Sequence, residues 1–566
     1  MTGTPPLEIT TEQINDLPLL VGIITDMGIR EAIDAQIRPH GGWQGISVGT
    51  VVSIWLCYLL MERDHRLVHV RDWANARRHT LNALVGVTLR DTDLSDDRLA
   101  QVLTLLSGGA DQAALDHALL ADWLTVYALP THTVRLDSTS VSVYHDAPPA
   151  AGLLRHGHSK DHRPDLPQFK AMLASLDPLG LPLSAQVVPG NRADDGLYIP
   201  AYEAAVAALG RRDVLVVGDS KMGGRATRAH LAAHASTSLC AYRPAGATAE
   251  ITAWIEDALA HPARWQEAQV VDARTGEKML QGVIDEWTRE QTQGETVWTE
   301  RVLVVQSLQM QTGLRRTRET ALARVTAQVA VLQRPPGRGR PVYRTSAALE
   351  GVVAGLLRAA HLEGVVQVAL REEAHRAGPT RWCVDALAVD RVAWARMVAR
   401  LGWHVYLTNA LAAVHPAATL VDAYRHQVVQ ERGFARLKTR NLHIRPLYLC
   451  DERRIVGLTW LLCLALRVLT LTEHRLRTAL AQRQESLAGL NPASRTQTTT
   501  RPTTERVIAL FQNITRTQLV HAGTRLAHVT PLTPVQERIL ALLHLPADLY
   551  ARLASPDPQP LVHLRE

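Results

Sequence analysis

Lysine is nearly missing from this chain of 566 residues. Of 61 basic side chains only five are lysines: Lys160, Lys170, Lys221, Lys278 and Lys438. Such a skew points to a coding bias that uses arginine wherever either will serve. A surviving lysine then marks a place where a compact ammonium matters, because the two cations are not chemically interchangeable. Phenylalanine is scarcer still, with three: Phe169, Phe434 and Phe511. The five cysteines are scattered, odd in number and form no C-x-x-C pair, which argues against a disulfide framework or a zinc site and for a reducing cytosol. The first twenty residues include Glu8, Glu12 and Asp16 and have no unbroken apolar core, so no signal peptide is expected. The most apolar run, residues 455–471, contains Arg467 and reads as a buried helix, not a membrane span.

What is present is ordinary globular composition: 46% apolar, 20% charged and a net charge of +6. The length predicts three to four domains. The basic balance, with a pI near 9.2, is compatible with a polyanionic partner without requiring one.

Residues 1–125 carry apolar positions at helical spacing, with Ser47 a plausible cap for one helix. From 131 the pattern changes. HTVRLDSTSVSVYHD alternates and is rich in β-branched residues, and QFKAMLASLDPLGLPLSAQVVPG predicts two strands around a turn at Asp177-Pro178-Leu179-Gly180. LYIPAYEAAVAALG is helical, and DVLVVGDS reads as a short parallel strand buried on both faces. A helix and the strand STSLCAYRP follow, giving a mixed α/β sheet over 126–245. Residues 246–378 interrupt it with strand-like pieces (QGVIDEWT, TVWTERVLVVQSL) and a helical stretch. Its 311–340 portion has seven arginines (315, 316, 318, 324, 334, 338, 340) against Glu319, open to reading as a solvated helix face or a phosphate-contacting surface. α/β character resumes over 379–482 with RWCVDALAVD and GWHVYLTNA. A Thr/Ser/Pro/Asn-rich linker, 491–505, leads into a helical C-terminal region within 483–566.

Three carboxylates occupy costly places. Asp137 lies inside the first strand, among Val134, Leu136, Val141 and Val143. Asp219 ends the apolar run VLVV, at the strand edge where open α/β sheets place ligands. Glu431 lies in YRHQVVQERGFARLK, which reads as one helix with Tyr424, Gln427, Glu431 and Lys438 on a stripe about 60° wide. A lone strand-end Asp is often only a turn or cap residue. Three acids on a first strand, a later parallel strand and a late helix are a rarer set, and their physical use is divalent metal. Mg²⁺ prefers hard oxygen ligands, and a pair of ions can serve both the attacking and the leaving oxygen of a phosphoryl displacement. Without metal, clustered carboxylates raise one another's pKa.

Strand-Asp (LDSTS), strand-end Asp (GDSK) and helix-Glu in this order resemble a DDE transposase with a ribonuclease H-like catalytic core. The helix resembles the Tyr-x2-Arg-x3-Glu-x6-Lys signature of the bacterial insertion-sequence superfamily numbered four: Tyr424, Glu431 and Lys438 match, and Gln427 stands where that family has Arg. GHSKDHRPDLPQFK (157–170), GWHVYLTNA, ERGFARLKTRNLHIRPLYL and the C-terminal half are similar to the branch numbered sixteen thirty-four. The resemblance spans essentially the whole chain. It implies a ribonuclease H-like mixed sheet, a largely β insertion between Asp219 and Glu431, and DNA-binding helices over 1–125. It implies two Mg²⁺ ions per site, with Mn²⁺ as substitute, on Asp137, Asp219 and Glu431. DNA contacts are implied for Tyr424 and Lys438, and expected of Arg425, Lys160 and Lys221. Lys160, Lys170, Lys221, Lys438, Phe169 and Phe434 all fall in or beside these segments. Plainer readings are a solvated helix start for Lys221 and core positions for the two Phe. The spacing of His156, His158 and His162 suits a mobile loop better than zinc.

The expected function is an insertion-sequence transposase that cuts the element's ends and transfers the 3′-hydroxyl to target DNA. It would act as a homodimer on inverted repeats and target, in the bacterial cytoplasm and away from membrane. Two alternatives stand beside it: a ribonuclease H-like nuclease without strand transfer, and an inactivated transposase that only binds DNA.

Overall fold

The computed structural model describes residues 7–144, 152–243, 246–271, 278–333, 341–374, 380–491, 494, 496–522, 524–555 and 560–561. They pack as two compact units: residues 1–222, 230–237 and 425–566 form one, and residues 223–229 and 238–424 the other.

In the first unit the expected meander forms. Strand Thr133–Ser142 pairs antiparallel with Gln168–Leu176, which pairs antiparallel with Leu181–Pro189. At the turn Gly180 has φ +71°, a left-handed backbone that glycine adopts without steric cost. The short run Leu215–Gly218 pairs parallel with the first strand, Thr133 opposite Leu215 through Leu136 opposite Gly218. This is the mixed α/β sheet that the sequence pattern predicts, covered in part by helix Tyr198–Leu209.

Helix Glu452–Arg483 is long and apolar enough to cross a membrane, yet 94% of its most apolar window is buried inside the protein. Its Arg467, 1% exposed, is fully engaged. Nε and Nη2 donate to the carbonyls of Pro182 and Leu183 at 2.8 Å, and Nη1 meets Asp116 Oδ1 at 2.5 Å. A buried guanidinium satisfied in this way belongs to a protein core.

The terminal regions are less purely helical than expected. Residues 17–126 supply seven helices, and Ser47 does cap Val48–Glu62, accepting from Thr50 N at 3.1 Å. But Glu8–Gln13 is a strand, paired antiparallel with Thr515–His521, which in turn pairs with Thr524–Val529. The 491–505 segment is likewise not a bare linker, since Thr498–Thr499 pairs with Leu487–Ala488. The first arises because β pairing across the whole length of the chain leaves no local periodicity to announce it, and the second because two-residue strands are too short to show alternation.

The second unit holds an antiparallel sheet. Trp403–Thr408 lies between Thr237–Ala241 and Thr296–Ser307, followed by Lys278–Gln293 and Gln266–Val271. Helices Leu308–Gln333 and Ser346–Ala360 and the hairpin Val366–Glu373/Arg381–Val389 share a second core around Val325, Val329, Leu349 and Val353. The boundary expected at 378/379 thus falls between two paired strands, and this unit continues to Tyr424. Of the arginines in 311–340, Arg315 pairs with Glu319 on an exposed helix face, while 334, 338 and 340 lie outside the described residues.

Candidate active site

The strand register brings two of the three acids together. Leu136 opposes Gly218 on parallel strands, so Asp137, still inside its strand and paired with Leu173, comes beside Asp219, the first residue past the end of the other. Asp137 is partly buried, its side chain 20% exposed. Burial pushes its carboxyl above the ordinary range and the Asp219 charge adds to this, while the Lys160 ammonium works the other way. Asp137 Oδ1 accepts from its neighbour Ser138 N at 2.7 Å and from Lys160 Nζ at 3.3 Å. Asp219 Oδ1 accepts from the buried Tyr198 hydroxyl and from Lys221 N at 2.8 Å. Burial and the Asp219 charge both hold that tyrosine firmly protonated, as a donor. Each aspartate is therefore oriented through Oδ1, and neither Oδ2 takes a hydrogen bond among the described residues.

Two hard oxygen donors whose charges oppose each other suit a divalent cation, which binds such oxygens and removes the repulsion. Glu431 is placed differently. Its helix, Val428–Ala435, packs on the Asp137 strand. Phe434 of that helix joins Leu173 and Cys463 in a small core cluster, and Val429 meets Gly180. The Glu431 side chain itself is exposed. Its Oε1 accepts from Gln427 Nε2 at 3.3 Å. Oxygens of Asp137, Asp219 and Glu431 do not all come within 4.8 Å of one another.

The single helix expected over 424–438 is corrected to three pieces. Ala417–Arg425 ends before a turn at His426–Gln427, Val428–Ala435 follows, and Arg436–Arg440 widens into a π-turn. Because the ladder breaks at 426–427, the 100° periodicity does not carry Tyr424 onto the Glu431 face. Tyr424 falls in the other unit, its ring 4.5 Å from that of Tyr406. Arg425, partly exposed, closes the preceding helix.

Lys438 is 9% exposed and is ion-paired with Asp161 Oδ1 at 2.8 Å; Arg445 Nη1 holds Oδ2 at the same distance. Burial lowers the Lys438 pKa and Asp161 works to restore it. The other lysines gather nearby. Lys160 Nζ reaches Ser138 O at 2.7 Å and Asp194 Oδ2 at 3.7 Å as well as Asp137. Lys170, buried, holds Asp194 Oδ1 at 2.5 Å and the Arg192 carbonyl at 2.7 Å. Exposed Lys221 lies 4.0 Å from Asp195. Burial would raise Asp194, but the Lys170 hydrogen bond and the two ammonium charges outweigh it and hold its carboxyl low.

Tyr198, Asp161 and Asp194 had no distinguishing signal in the sequence. Tyr198 heads an apolar helix and reads as core; Asp161 and Asp194 lie in polar, turn-like stretches. Only the lysine scarcity points toward their neighbourhood. A separate trio, Glu203, His230 and His234, has ligand atoms within 4.8 Å of one another. Its carboxylate is already engaged, by Arg212 at 2.7 Å and by His230 at 2.7 Å.

Comparison with known proteins places the chain in a family. A model described as a transposase DDE domain matches residues 131–468, and a domain of unknown function (DUF4277) matches residues 9–114. No curated protein matches. Among solved structures, a piggyBac transposase synaptic complex with hairpin DNA aligns over 87% of this chain and 79% of its own, at 8% identity and a TM-score of 0.32, a likeness too slight to carry argument. The DDE match covers well over half the chain and contains Asp137, Asp219 and Glu431. The chain belongs to the DDE transposase family: it is a DNA transposase, an enzyme of DNA cleavage and strand transfer whose family works with divalent metal.

Proposed function

We propose that this transposase moves a bacterial insertion sequence of the superfamily numbered four, branch sixteen thirty-four. In this reading its first unit holds a ribonuclease H-like core and Asp137, Asp219 and Glu431 are the metal ligands. The single observation that carries it is the parallel register that sets Asp137 beside Asp219 while the Glu431 helix packs on the same strand. Two Mg²⁺ ions, or Mn²⁺ in their place, would supply Lewis acidity toward the scissile phosphate and acidify the attacking water or hydroxyl.

The chain's own groups do the rest. Tyr198 and Lys221 N fix Asp219, and Ser138 N and Lys160 fix Asp137, so both carboxylates are aimed before substrate arrives. In the first step a water oxygen bonds to phosphorus at the element's end as the bond to the 3′ oxygen breaks, leaving a 3′-hydroxyl. In the second, that hydroxyl bonds to phosphorus in the target and the target's own 3′ oxygen departs, conserving the phosphodiester. Tyr424, Arg425, Lys160, Lys221 and Lys438 remain the proposed DNA contacts. For Lys438 this requires the Asp161 pair to open. The helices within 1–125 would read terminal inverted repeats, and a homodimer in the bacterial cytoplasm would bridge two ends.

The test incubates purified protein with Mg²⁺ and labelled DNA carrying the element's ends, comparing wild type with Glu431→Gln. Cleavage should fall on the order of a hundredfold or more in the variant, and wild type should yield joined element–target products. Cleavage at wild-type rate by Glu431→Gln would sink its assignment. Cutting without joined products would favour the nuclease.

A further inference from the structure

Four of the five lysines lie around the carboxylate pair, and the arrangement of Lys160 goes beyond orienting Asp137 or touching DNA. Lys160 Nζ is 2.7 Å from Ser138 O, 3.3 Å from Asp137 Oδ1 and 3.7 Å from Asp194 Oδ2. Asp194 has a closer cation, Lys170 at 2.5 Å, so Lys160 is its more distant partner and makes its nearer carboxylate contact with Asp137. The backbone holds Lys160 there from both sides. Its own N–H donates to Ser140 Oγ at 3.2 Å, and the next residue, Asp161, is gripped by Lys438 and Arg445 at 2.8 Å each. The Lys160 side chain as a whole remains 29% exposed, and its four-carbon stem is flexible.

Resting on the metal-site reading above, we propose that Lys160 is a resident counter-cation of the Asp137–Asp219 pair, competing with a hard divalent cation for Asp137 Oδ1. It is a positioning residue: it keeps two adjacent carboxylates matched by one fixed positive charge, and a divalent ion must displace it from Asp137. The Asp161 clamp sets the competition by holding the loop that presents it, and this gives the buried Lys438 a task through Asp161.

The experiment measures Mn²⁺ binding to the full-length protein without DNA, from the electron paramagnetic resonance signal of free Mn²⁺. Lys160→Met should bind Mn²⁺ roughly fivefold more tightly than wild type, the scale of one partly exposed ion pair. Lys160→Arg, which keeps the charge on a bulkier group, should fall between wild type and Lys160→Met, and Asp137→Asn should weaken binding by at least about tenfold. Unchanged or weaker binding by Lys160→Met, with Asp137→Asn still impaired, overturns the counter-cation alone. Unchanged binding by Asp137→Asn overturns the metal-site reading and this inference with it. Thermal unfolding of each variant confirms that a folded protein was titrated.

Discussion

Gln427 shows how one side chain changes meaning between sequence and structure. In the sequence it is a departure, an amide where the resembled signature has a guanidinium. In the folded chain its Nε2 donates to Glu431 Oε1 at 3.3 Å, from the turn that starts the Glu431 helix. A neutral donor restrains the carboxylate without neutralising it, which leaves its charge available to a cation. One such hydrogen bond contributes about 0.5–1.5 kcal/mol. Gln427→Ala should therefore slow cleavage roughly three- to tenfold, with DNA affinity unchanged by electrophoretic mobility shift; a rate equal to wild type would remove Gln427 from the site. The lysines carry the same lesson. Their rarity was legible in the sequence, but their partners were not. Lys170 and Lys438 lie in buried ion pairs with Asp194 and Asp161, and neither acid is marked by periodicity or by an apolar neighbourhood.

At the scale of elements, two buried ionic networks hold the Glu431 segment and the long apolar helix. Arg436, in the π-turn, pairs with Glu505 through Nε and Nη2 at 2.6 and 2.9 Å, and with Glu473 at 2.6 Å. Burial alone would raise the Glu505 pKa, but the Arg436 hydrogen bond and charge bring it below the ordinary glutamate range. A carboxylate depressed on folding stabilises the protein above its unfolded pKa, and that contribution is lost as pH falls through the folded value. Glu505→Gln should lower the urea midpoint at pH 7, and the gap from wild type should narrow only as the pH drops below about 4.5. A gap that stayed constant down to pH 3 would show that the charge contributes nothing. Arg467 in the long helix sets a larger stake, since it satisfies two carbonyls and Asp116. Arg467→Ala should cost roughly 3–5 kcal/mol in chemical denaturation, because Asp116 and the carbonyls are left unpaired in the core. The helix itself was legible from its apolar run; that Arg467 is the tie to the strand Leu181–Pro189 was not, because its acceptors are backbone carbonyls, which carry no sequence signature.

For the whole molecule, DNA as partner and a net charge of +6 make affinity a function of salt. Binding should weaken on the order of a hundredfold or more between about 50 and 200 mM salt, as released counterions dictate; fluorescence anisotropy that stayed flat over that range would count against phosphate contacts. The alternation around LDSTS, the apolar run before GDS and the helical character of the residues next to Glu431 were determined by sequence, because each depends on residues within one turn or one strand of each other. Tertiary structure decided the rest. Only the parallel register places Asp137 beside Asp219, across 82 residues of chain. Only packing of Val429 at Gly180 and of Phe434 against Leu173 sets the Glu431 helix on the Asp137 strand, while a break with no Pro or Gly to announce it separates that helix from Tyr424. The sheet joining Glu8–Gln13 to Thr515–His521 is decided in the same way. Local pattern fixes which side chains share a face; which faces meet depends on hydrogen bonds and burial between segments that periodicity cannot connect.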